Sequence, residues 1–139
     1  MAYCKVMGQP QGKARARTVR HGNYVRSYTP KKTADYEQTI RDAFIKEDNE
    51  SYMDGQPLRM YIKAFYEIPK SARKKDIPLM LRGAIQPTKK PDADNIAKVV
   101  CDALNGIAYH DDAQIINLTI MKRYDHEPRV EVWVEEVVF

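Results

Sequence analysis

KPDADNIAKVVCDALNGIAYHDDAQ, residues 90–114, decides how this chain is read. Residues 86–91 are irregular and contain two prolines. Asp94 or Asn95 then caps a helix that runs to about Leu104. Ile96, Val99, Val100, Ala103 and Leu104 recur at helical spacing and form its buried stripe. Asn105-Gly106 ends the helix, with Gly106 free to take the left-handed cap. A turn carrying Asp111 and Asp112 follows, and a strand over Gln114–Arg123 opens directly after it. Five of the chain's nineteen acids fall in this stretch: Asp92, Asp94, Asp102, Asp111 and Asp112.

Outward from this helix, strands and helices interleave. Tyr3–Met7 reads as a first strand, broken by Gly8-Gln9-Pro10-Gln11-Gly12. Arg15–Arg20 and Tyr24–Tyr28 flank His21-Gly22-Asn23, the loop of a hairpin that holds Arg15, Arg17, Arg20 and Arg26 on a projecting basic ribbon. Thr33 caps a helix to about Lys46, with Tyr36, Ile40, Ala43 and Phe44 on its inner face. Leu58–Ile68 alternates Leu58, Met60, Ile62 and Ala64 against Arg59, Tyr61, Lys63 and Phe65, the period of a strand. Lys70–Leu81 reads as a short basic helix or loop. Arg129–Val138 is a last strand after the turn 124–128. The order β, hairpin, α, β, α, β, β predicts an α/β (α+β) fold: one domain over residues 1–139, a small mixed β-sheet with helices packed on it.

The 139 residues suffice for one core. No apolar run reaches the length that spans a bilayer, and the N-terminus lacks a signal-peptide pattern, so a cytoplasmic, non-membrane protein is expected. Cys4 and Cys101 lack partners at metal-ligand spacing and read as free thiols. No Walker A or Gly-rich dinucleotide loop is present, so no nucleotide cofactor is expected.

The net charge of +4 conceals a division along the chain. Residues 1–32 carry eight Lys/Arg and no acid, residues 69–90 carry seven with only Asp76, and residues 91–139 carry four against ten acids. Basic stretches of this density attract phosphate backbones. Lys13, Arg15, Arg17, Arg20, Arg26, Lys31, Lys32, Lys74 and Lys75 are the candidate DNA contacts. Acids gathered beside such stretches would repel DNA unless a cation bridges the two. Asp92 and Asp94, two apart in an extended stretch entering the helix, turn to the same side. One of Asp111 and Asp112 completes a three-carboxylate nest if its strand lies beside the helix start. An all-oxygen ligand set selects Mg2+, with Mn2+ as a substitute. Lys98 lies one turn beyond Asp94. The plainer account pairs Lys98 with Asp94 or Asp102 as surface ions, and makes Asp102 structural.

This stretch, with Asp-x-Asp-Asn at 92–95, Lys98, Asp-Ala-Leu at 102–104 and Asp-Asp-x-Gln at 111–114, closely resembles the RusA family of Holliday junction resolvases. PQGKARAR at 10–17 and YTPKKTADYE at 28–37 also look like phage-type members. The resemblance implies a RusA-like homodimer that nicks four-way junction DNA symmetrically with Mg2+, in recombination and repair, leaving 5′-phosphate and 3′-hydroxyl ends. It places catalytic carboxylates at Asp92, Asp94 and Asp112 and an assisting lysine at Lys98. The short spacer before Asp111 leaves both Asp111 and Asp112 as candidates for the metal. The C-terminal strand, with Val130, Val132, Val134 and Trp133, is one option for the dimer surface; its plainer reading is core plus one exposed aromatic. Alternative functions are a metal nuclease for other branched or single-stranded DNA, and a DNA-binding module without catalysis.

Overall fold

The computed structural model describes residues 1–138. Ala2, Cys4 and Val6 are buried while Lys5 and Met7 face out, which makes β1 (Ala2–Met7) a half-buried strand. β2 (Arg17–His21) and β3 (Tyr24–Tyr28) form a separate two-stranded sheet that is exposed almost throughout. The expected ribbon is therefore present. Its first strand starts at Arg17 rather than Arg15, and its turn is the two residues Gly22-Asn23, because His21 pairs with Tyr24. Gly22, at φ 59°, supplies the positive φ that so tight a hairpin needs.

Helix α1 (Lys31–Lys46) buries Tyr36, Ile40 and Phe44. Thr33 is not its cap. Pro30 stands at that position with its fixed φ, and Thr33 lies in the first turn, where its Oγ1 accepts the Ala14 N–H. β4 (Leu58–Glu67) buries Leu58, Met60, Ile62, Ala64 and Tyr66, as its alternation predicts.

The basic stretch after β4 is helical only at its end, in α2 (Ile77–Leu81). Pro78 fits a first helical turn, but its ring clashes with any helix continued back through Lys74. Residues 69–76 turn instead, with the Ala72 N–H on the Pro69 carbonyl and the Asp76 N–H on the Arg73 carbonyl. Helix α3 (Ala93–Ala103) buries Ile96, Ala97, Val99, Val100 and Ala103, and Gly106, at φ 75°, follows its end. A 3-10 turn (Asp112–Gln114) precedes β5 (Ile115–Asp125), and β6 (Arg129–Glu136) closes the fold. Gln114 thus ends a turn rather than opening the strand.

The main sheet has the order β1-β6-β4-β5, with β4 and β5 parallel and the other pairs antiparallel. Parallel neighbours need a crossover, and residues 68–114 provide it, with α3 running back across the sheet. One core joins the helices to the inner face of the sheet. Val130, Val132 and Val134 lie in it. β6 is paired on both sides and so offers no free edge to a second copy. Trp133 lies on the outer face between Tyr3 and Tyr61, with ring centroids 5.2 and 5.5 Å away. Cys4 is buried and Cys101 half-buried, both are free, and burial pushes both thiols up to about 12.

Arg129 fixes the turn between β5 and β6. It hydrogen-bonds Asp125, reaches Glu131 at 3.3 Å and stacks over Phe65 at 4.0 Å. The hydrogen bond from Arg129 holds the Asp125 carboxyl below the usual carboxylate range. A depressed carboxylate stabilises the fold above its unfolded pKa, and that contribution is lost as pH falls through the folded value. Asp125→Asn is expected to lower Tm at neutral pH, with the gap from the parental chain closing as pH falls below the ordinary aspartate range. Thermal melts across this range check it; a constant gap contradicts the linkage.

Candidate DNA cleft and acidic sites

Asp92 is the N-cap residue of α3, with extended backbone (φ −70°, ψ 152°), whereas Asp94 already lies in the first helical turn. The cap expected at Asp94 or Asn95 is therefore corrected by two or three residues, and Asp94 of the Asp-x-Asp is helical rather than extended. The shift follows from Pro91: the residue before it is kept out of the helical region, so the helix starts as soon as Pro91 is passed. The Tyr66 hydroxyl donates to the Pro91 carbonyl at 2.5 Å and ties this end of α3 to the end of β4.

Asp92 makes no capping hydrogen bond with its own carboxylate. Asp92, Asp94 and Lys98 are all exposed. Among the described residues, none of the three forms an ion pair or side-chain hydrogen bond, so the surface pairs Asp94–Lys98 and Lys98–Asp102 are not made. Asp102 pairs instead with Lys13 at 3.3 Å, and Lys13 also reaches Glu37 at 3.2 Å. Lys13, placed among the DNA contacts by its charge, is thus a strut between α1 and α3.

A cleft of about 750 Å³ opens beside Asp92. Lys13, Arg15, Arg17, Lys32 and Lys90 lie along it, and Asp92 is the one acid among its described lining. Lys90 and Asn95 belong to this wall although charge patterning did not single them out; Lys90 adjoins the acidic motif, which was the available signal. Gly12 is needed for the close approach of the 10–16 loop, because a Cβ there would lie 2.9 Å from Asn95 Cβ and 3.2 Å from Pro91 Cβ. The Lys13 N–H donates to the Asn95 carbonyl and completes the seam. Of the other candidate contacts, Lys31 pairs with Asp35, Arg20 and Arg26 project on the hairpin, and Lys74 and Lys75 are exposed on the turns before α2. None of these lines the cleft.

Asp112 lies at the other end of α3. Its N–H donates to the Asn105 side chain. Burial, a hydrogen bond with Asp111, and the charges of Asp111 and Asp102 raise its carboxyl above the usual range. Asp111 and Gln114 form a reciprocal capping box. Buried Gln114 accepts the N–H groups of His110 and Asp111 and donates to the carbonyls of Met53 and Gln56. Asn105 and Gln114 were not expected to matter, though Asp-x-x-Gln is the written form of a capping box. His110 is an exposed turn residue.

At 1.5 Å per residue, α3 holds Asp92 and Asp112 roughly 15 Å apart. Among the described residues, no group of three His, Cys, Asp or Glu side chains could hold a metal ion. The three-carboxylate nest expected within one chain is therefore not formed, because the helix between its members is too long. The chain presents its acids as two separate groups, Asp92 with Asp94 and Asp111 with Asp112.

The sequence profile of the family described as endodeoxyribonuclease RusA matches residues 7–135. The chain belongs to the RusA family. An uncharacterised protein of Bacillus subtilis (strain 168), YqaN, is 37% identical over 135 residues, which cover 95% of this chain and 94% of that one. The RusA match takes in both acidic groups, the basic loop and the hairpin. No helix among the described residues is long and apolar enough to cross a membrane.

Lys13→Met should leave Glu37, which is 7% exposed, without its counter-ion and cost about 3 kcal/mol of folding stability. Gly12→Ala should displace the 10–16 loop at a cost of about 1–3 kcal/mol. Chemical denaturation measures both; a parental midpoint for either variant contradicts the seam described above.

Proposed function

We propose that this RusA-family protein is a Mg2+-dependent endonuclease that resolves four-way DNA junctions by paired nicks, acting as a homodimer in the cytoplasm during recombination and repair. The observation that carries the reading is Asp92, unengaged in the wall of a basic cleft, with Asp94 and Lys98 exposed and equally unengaged along the same helix. Folding stability gives no account of two carboxylates and an ammonium left without partners beside such a cleft. A DNA-binding module without catalysis gives none either, since the carboxylates would only oppose phosphate.

The cleft and hairpin supply the electrostatic hold on the backbone. Arg15, Arg17, Lys32 and Lys90 meet phosphates near the scissile bond, and Arg20 and Arg26 on the ribbon reach further along an arm. Asp92 and Asp94 offer hard oxygen ligands suited to Mg2+. They are two, and the fit improves to three if Asp112 of the partner subunit joins them, with Asp111 of the partner subunit as the nearby alternative. A homodimer then has a chemical reason as well as a symmetric one: neither copy alone brings its half-sites together, and a twofold junction matches a twofold enzyme. When bound, Mg2+ supplies Lewis acidity to the attacked phosphate and to the water that displaces the 3′ oxygen. Lys98, one turn along from Asp94, holds the phosphate charge as the bond breaks.

Cleavage of a synthetic four-way junction with Mg2+, beside linear, forked and single-stranded controls, tests the reading. Symmetric cuts on the junction alone are expected, and equal rates on all four substrates contradict the junction assignment. Asp92→Asn and Asp94→Asn should each abolish cutting while binding is kept or strengthened, because a negative charge near phosphate is removed. Parental cutting by either variant removes that carboxylate from the site. The double variant Arg15→Ala, Arg17→Ala should bind more weakly and with a salt slope shallower by about 2; an unchanged slope assigns those arginines to solvent.

A further inference from the structure

The hairpin of β2 and β3 carries large apolar side chains with no core beneath them. Tyr24 is 63%, Val25 57% and Tyr28 43% exposed. Among the described residues, the core takes no side chain from the hairpin. Side chains directly opposite share a face. Arg17 with Tyr28, Val19 with Arg26 and His21 with Tyr24 therefore form one face of the ribbon. Both tyrosines stand on that face, with Arg26 between them at steps of about 7 Å. Arg17, in the cleft wall, and Tyr28 mark its root. Tyr24 marks its tip beside the turn, about 14 Å further out. Aromatic residues stabilise a hairpin through cross-strand pairs. Among the described residues, neither ring stacks on another aromatic or takes a cation over its face. A two-stranded ribbon is marginal in water, and folding gains little from rings left open on it.

We infer that this face stacks on DNA bases left open at the branch point, with Tyr24 as the ring that reaches them. The inference rests on the junction reading above and deepens it, by naming the part that tells branched from continuous DNA. Charge complementarity selects the occupant. Residues 17–28 hold Arg17, Arg20 and Arg26 and no acid, so nothing on the ribbon repels phosphate. Rings alternating with cations are what an open strand requires, π faces for the bases and guanidinium groups for the backbone. The face is also continuous with the cleft at Arg17, so a strand held there leads along the ribbon to Tyr24. In continuous duplex each base is covered by its neighbours, and a ring at the tip meets only groove edges. Where four arms meet, the base pairs beside the crossover lose a stacking neighbour and offer a free face. A two-stranded ribbon also fits a major groove. A tyrosine ring gains less there than on an open base.

Fluorescence anisotropy with labelled DNA, in EDTA so that nothing is cut, tests the inference on a four-way junction, a single strand and a linear duplex. Tyr24→Ala should weaken binding to the junction and to the single strand by roughly tenfold and leave the duplex unchanged. Its salt slope should stay parental, since no charge is lost. Arg26→Ala should instead weaken all three and make the slope shallower by about 1. Tyr24→Phe should bind as the parental chain does, because stacking uses the ring and not the hydroxyl. Tyr24→Trp sets a fluorophore at the tip, whose emission the junction should quench and the duplex should not, measured against the Trp133 signal of the parental chain. Parental junction affinity in Tyr24→Ala, an equal loss on the duplex, or a loss in Tyr24→Phe as large as in Tyr24→Ala each overturns the inference. If the Tyr24→Ala ribbon does not form, the Tyr24→Trp emission decides, and an unquenched signal on the junction is the contrary result. A chain that binds in the expected way yet never nicks with Mg2+ would sink the nuclease reading alone.

Discussion

The parallel pairing of β4 with β5 is the constraint from which the rest follows. Parallel strands cannot be joined by a tight turn, so the chain must cross from the end of one to the start of the other. It does so through α3, which begins at the end of β4, where Tyr66 holds the Pro91 carbonyl, and finishes beside the start of β5, where Asn105 holds Asp112. The acidic motif is thereby stretched over the length of a helix. Asp92 is set in the wall of the basic cleft, while Asp112 is set against Asp111 and Asp102. A single topological choice fixes the spacing of every candidate catalytic group.

Electrostatics then divides the charged residues into those that build and those that are left free. Lys13 and Asp102 are spent on each other and on Glu37, holding α1, α3 and the basic loop together. Arg129 is spent on Asp125 and Glu131 at the far turn. Among the described residues, Asp92, Asp94, Lys98, Arg15 and Arg17 enter no ion pair. The division is sharper than sequence position suggests, since Lys13 and Arg15 stand two apart in one basic run, yet Lys13 is paired and Arg15 faces the cleft.

Much of this was legible in the sequence. The alternation of β4, the stripe of α3, the hairpin and the mixed sheet were readable because each is a local period with a clear stop. Gly106 and the two-strand ribbon followed from turn chemistry. The helix starts were misplaced by two or three residues because Thr33 and Asp94 are good caps by type, while Pro30 and Pro91 set the boundary by backbone geometry. The partner of Asp102 was misassigned because helical spacing favours Lys98, whereas the true partner comes from a loop 89 residues away in sequence. The three-carboxylate nest was the larger miss. Motif spacing says which acids belong together, but not whether a rigid helix keeps them apart within one copy.

The central claim is that the two acidic ends of α3 act together only between copies. Asp92→Asn, Asp94→Asn chains mixed with Asp111→Asn, Asp112→Asn chains test it most directly, by nicking of a four-way junction under conditions where subunits exchange. Each variant alone is expected to be inactive, and the mixture should regain single-strand nicks, because a mixed dimer holds one site with all its carboxylates and one with none. A mixture as inactive as its components, beside a parental chain that cuts, would contradict the account.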